Sequence, residues 1–63
     1  MKFQKGDLVT FNRSHEAAVF IVRSVDGFRM RVVDAKYQGN AEQEVDTSMA
    51  QYATAIQLAH HNK

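Results

Sequence analysis

The run from Val19 to Asp34, V-F-I-V-R-S-V-D-G-F-R-M-R-V-V-D, constrains the fold of this chain more than any other stretch. β-Branched and aromatic residues fill it on both sides of Asp26-Gly27, the dipeptide that best accepts the positive φ angles of a type I′ hairpin turn. Two strands joined there meet with Val25 facing Phe28, Arg23 facing Met30, Ile21 facing Val32 and Phe20 facing Val33. Facing residues share a side of the sheet. One side then collects Val19, Ile21, Val25, Phe28, Met30 and Val32, interrupted only by Arg23, and is the predicted core. The other carries Phe20, Val22, Ser24, Arg29, Arg31 and Val33. That mixture suits a long, bent hairpin whose second face is partly covered and lies open near the turn.

A chain of 63 residues has room for one domain, 1–63, with one modest core. It has no cysteine, so no disulfide supplements that core. Stability must then come from an efficiently closed sheet, from a homo-oligomer, or from both. A hydrophobic content of 44% beside 24% charged residues argues against disorder. No apolar run approaches the ~20 residues of a membrane span, and no signal-peptide core follows Met1. The expected setting is cytoplasmic, with no membrane partner. Net charge is +1, but residues 1–36 carry +3 and residues 37–63 carry −2. A +3 excess is weak beside dedicated nucleic-acid binders.

In chain order, Phe3-x-x-Gly6-Asp7-x-Val9-x-Phe11 opens with a turn at Gly6-Asp7 and a strand over Leu8 to Phe11. Val9 and Phe11 join the core, with Phe3 beside them. Asn12 to Ala17 reads as a loop. Residues 35–41 form a second loop, in which Gly39-Asn40 can supply a left-handed residue. Glu42 to Asp46 suggests a short edge strand whose acids discourage edge-to-edge association. Beyond it, Ser48-x-x-Gln51 is a capping-box pattern, while Tyr52, Thr54, Ile56 and Leu58 alternate as a strand would. Two readings stay open: a helical turn over Ser48–Ala53 with a closing strand over Thr54–Leu58, or one continuous helix.

This order of elements resembles the small SH3-like barrel, and the F-x-x-G-D-x-V opening looks like that of small bacterial and phage-borne SH3-like proteins. The resemblance implies a mainly β fold, a five-stranded barrel with a short helical turn near the C-terminus. The alternative is an α+β fold, a four-stranded sheet with a C-terminal helix. It also implies a non-catalytic binding module of an accessory protein, for which near-balanced charge favours a protein or peptide partner over nucleic acid. The G-D-x-V opening, Gly6-Asp7-Leu8-Val9, also resembles that of the type II dihydrofolate reductases, SH3-like chains of similar size that are oligomeric enzymes with a pore lined by a V-Q-I-Y stretch. The corresponding residues here are Glu44-Val45-Asp46-Thr47, which removes the main catalytic contribution.

Phe20, Arg29, Arg31 and Tyr37 form the one constellation suited to binding. Aromatics beside guanidinium groups on a β surface can stack bases and neutralise phosphates, or hold an acidic protein segment. The plainer reading buries Phe20 and pairs the arginines with Glu42, Glu44 or Asp46. His15, His60 and His61 match no structural zinc spacing. Ser14-His15-Glu16 contains the residue types of a hydrolytic triad, but sequence neighbours cannot adopt its geometry. No catalytic residue, metal or cofactor is therefore expected.

Overall fold

The hairpin forms, but its turn lies one residue beyond the expected one. In the computed structural model, which describes residues 3–62, β2 (Phe20–Asp26) and β3 (Arg29–Asp34) flank a loop of Gly27 and Phe28. Lys2 and Lys63, counted in the charge balance, lie outside the described residues. Gly27 has φ +61°, and no described residue other than glycine has a positive φ. Positive φ at the first loop residue alone is the pattern of a type II′ turn, not I′.

The register shifts again between Val22 and Ser24, where Arg23 is the extra residue of a β-bulge. Val25 now faces Met30, Ser24 faces Arg31, Val22 faces Val32 and Phe20 faces Asp34. The physical reason lies with Arg23. Unbulged pairing from Asp26-Gly27 would set its guanidinium against Met30 in the core. The bulge removes it from the alternation and turns Val22 inward in its place.

Several expected core positions change accordingly. Val22 is fully buried and Phe20 packs on the core margin, whereas Ile21 moves to the opposite face and is only half-buried. Val25 sits at the open end of the core side and is 40% exposed; Phe28, now in the turn, is 83% exposed. Phe3, Val9, Val22, Met30 and Val32 form the core, with Phe11, Phe20, Val45 and Ala50 packed against it. The rings of Phe11 and Phe20 lie 5.1 Å apart, and those of Phe3 and Tyr52 4.9 Å.

With β1 (Leu8–Thr10), β4 (Gln43–Asp46) and β5 (Gln51–Tyr52), the strands make one antiparallel sheet in the order β4-β3-β2-β1-β5. The opening turn is built as its sequence suggests. Gly6 takes φ +94°, the Asp7 carboxylate accepts the Gln4 N–H at 2.7 Å, and the Asp7 N–H donates to the Gln4 carbonyl. Gly39 and Asn40, by contrast, do not supply a left-handed residue.

The sheet stays open, contrary to the expected barrel, because its two edge strands β4 and β5 do not pair. β5 is only two residues long, and the chain then leaves the sheet. Thr54 caps an α-helix, α1 (Ala55–His61), through a full capping box with Gln57. The residues read as a closing strand are thus helical. Ser48 belongs to a single 3-10 turn, Thr47–Met49, capped by the Asp46 carboxylate. The fold is mainly β: five short strands in one open sheet with a C-terminal helix.

The helix is tied down by a buried amide. Gln57 accepts the Thr54 N–H through Oε1 at 3.0 Å and donates through Nε2 to the carbonyls of Asn12 (3.0 Å) and Ser14 (2.9 Å). The Thr10 hydroxyl lies 3.5 Å from the same Oε1. One side chain therefore joins α1, the Asn12–Ala17 loop and β1, with its polar groups satisfied.

Candidate functional site

Strand pairing sets two polar rows across the end of the sheet nearest the hairpin turn. Arg29 faces Asp26 on β2 and Asp46 on β4; Arg31 faces Ser24 and Glu44. Alternation puts all six side chains on one face, opposite Met30 and Val45. Two guanidinium groups thus stand among three carboxylates. Arg29 Nη1 donates to Glu44 Oε1 at 3.0 Å, and both side chains are more than half exposed. Arg31 makes no hydrogen bond or ion pair among the described residues. A cleft of about 260 Å³ runs between Ser24, Asp26, Arg29, Arg31 and Glu44.

Asp46 closes this face where β4 passes into the 3-10 turn. Its carboxyl is held below the usual aspartate range by hydrogen bonds from Ser48, first from the backbone N–H at 2.9 Å, with a smaller contribution from the Arg29 charge.

Of the four residues expected to share a binding surface, the structure brings together only Arg29 and Arg31. Phe20 lies across the sheet, half-buried against Phe11, because the bulge reverses the face of the early part of β2. Tyr37 is 63% exposed but sits past the other end of β3, in the loop whose turn its N–H closes on the Asp34 carbonyl. The three residues from Arg31 to Asp34 alone span roughly 10 Å. The aromatic nearest the arginines is instead Phe28, which precedes Arg29 in the turn and accepts the Thr47 N–H through its carbonyl at 2.8 Å. Met49, 69% exposed, follows in the same 3-10 turn as Thr47. One signal pointed to Phe28, since Gly-x is itself a type II′ loop; the arginine on the core side pointed separately to the bulge.

A second cleft, of about 200 Å³, lies at the opposite end of the molecule between Glu16, Asp34, Lys36, His60 and His61. The two histidines occupy the last turn of α1 and are half-buried. Among the described residues no three histidine or carboxylate side chains are grouped to hold a metal ion. Among them, too, no helix is long and apolar enough to cross a membrane. No protein-family model, curated protein or solved structure matches the chain.

Proposed function

We propose that this chain is a non-catalytic binding module of the small bacterial and phage-borne SH3-like kind, and that its partner is a protein rather than a nucleic acid. The observation that carries this reading is the interleaving of Arg29 and Arg31 with Asp26, Glu44 and Asp46 on one exposed face. A phosphate backbone approaching this face meets as much negative charge as positive, so counterion release contributes little. A protein surface can match mixed charges one by one. Five short strands with a tight central hairpin also support the SH3-like kinship, although the sheet is open. The alternative, an oligomeric reductase, rests on the opening strand alone, since β4 carries Glu44-Val45-Asp46 where V-Q-I-Y would stand.

Fluorescence anisotropy with a single-stranded and a duplex oligonucleotide at low salt tests the reading. The expected result is no saturable binding. Saturable binding that weakens with salt and is lost in Arg29→Glu/Arg31→Glu would overturn the preference for protein. An NADPH-dependent reductase assay on the same sample separates the enzyme reading, and no turnover is expected.

A further inference from the structure

The outer edge of β4 is open. Thr47 N–H donates to the Phe28 carbonyl, which makes Phe28 and Thr47 a hydrogen-bonded pair of the β3–β4 ladder. Such pairs alternate along an antiparallel ladder, so Gln43 and Val45 turn their backbone groups toward β3. Glu44 then turns its N–H and C=O, and Asp46 its N–H, away from the sheet. Among the described residues no strand or loop pairs with that edge. The opposite edge offers no such ladder, because β5 is two residues long and ends at the cap of α1.

We propose that this edge docks an extended peptide segment with Lys or Arg on either side of an apolar residue; the proposal rests on the protein-binding reading above. A strand added to β4 places one side chain opposite Val45, on the core side, where Val45 is only half-buried. Its two neighbours then fall opposite Glu44 and Asp46 on the other face. The inner edge of β4 already holds this pattern, since Arg29-Met30-Arg31 pairs with Asp46-Val45-Glu44. A basic–apolar–basic segment on the outer edge repeats that arrangement. A second copy of the chain is a poor occupant, because β4 against β4 brings Glu44 and Asp46 against carboxylates.

The test uses the blocked peptide S-T-K-V-R-T-S in an NMR titration of the whole protein, with amide hydrogen exchange as the second readout. Binding is expected to slow exchange at Glu44 while leaving Val45, already bonded to β3, unchanged. Glu44→Lys/Asp46→Lys should weaken binding about tenfold, and the charge-reversed peptide S-T-E-V-E-T-S should bind that variant in its place. N-methylating the peptide along its pairing edge should abolish binding. No shifts up to about 1 mM peptide, or shifts without slowed exchange at Glu44, would overturn the proposal. Because the oligonucleotide titration decides the broader reading, the two can fail separately.

Discussion

The two edges of the sheet are finished in opposite ways. At the β5 edge the strand is short, the chain turns into a capped helix, and buried Gln57 bonds to two other segments. At the β4 edge the strand is twice as long and mostly exposed, held beyond its own ladder by half-buried Val45, the Asp46 cap and one surface ion pair. The first edge spends its polar groups on holding the fold. The second leaves backbone and charged groups free for something else. On the proposed reading, stability and recognition are separated along the direction of strand order, and substitutions should sort by edge.

The largest expected effect lies at the sealed edge. Gln57→Ala removes a buried amide, opens a cavity and leaves the Thr54 N–H without its acceptor. We expect a loss on the order of 2–3 kcal/mol in urea unfolding, against less than about 1 kcal/mol for Glu44→Ala at the open edge. Equal losses would remove the distinction. Gly27→Val comes next. Nothing lies within 4 Å of where a Cβ would sit, so the whole penalty is backbone strain at φ +61°. On the order of 1–3 kcal/mol is expected, read as a fall in Tm. An unchanged Tm would show that the loop can rearrange so that residue 27 no longer needs a positive φ.

The hairpin turn shows how far the sequence could be read. The hairpin itself, the Gly6-Asp7 turn, the acidic edge strand and the burial of Val9, Met30 and Val32 follow from alternation and turn chemistry. The choice between two adjacent two-residue loops does not. Asp26-Gly27 and Gly27-Phe28 are both sound locally, and either one sets Arg23 on the core side until the bulge intervenes. A period-two pattern cannot register a bulge, so Phe20 and Ile21 exchange faces, and the expected aromatic-arginine surface comes apart with them. The C-terminal segment hid its helix for a similar reason. Ser48-x-x-Gln51 and Thr54-x-x-Gln57 are both capping patterns, and only the second has a buried site waiting for its glutamine.

Reversing both arginines gives a smaller effect that sharpens the picture of the open edge. Arg29→Glu/Arg31→Glu breaks the pair with Glu44 and sets five carboxylates on one face. Each exposed pair is worth only about 0–1 kcal/mol, so the variant should fold, with a modest fall in Tm that shrinks as salt rises. A fall as large as that of Gln57→Ala would mean that this face holds the fold together and is not reserved for a partner.

The smallest effect is expected at Asp46, where the open edge passes into the 3-10 turn. Its carboxylate accepts the Ser48 N–H at 2.9 Å, and these Ser48 bonds hold its folded-state pKa below that of the unfolded chain. A group with a depressed folded pKa contributes stability that is fully present above its unfolded value, about 3.9, and is lost as pH falls through the folded one. Asp46→Asn keeps an oxygen that can accept the Ser48 bond but removes the charge. Its Tm should therefore lie slightly below wild type at pH 7, and the gap should close as both proteins are taken below about pH 4. Melting curves across that range measure the gap directly. A gap that stays constant would mean that the cap works through hydrogen-bond geometry alone. Charge would then add nothing to the turn that ends β4, and Asp46 would be free to meet a basic partner without loss to the fold.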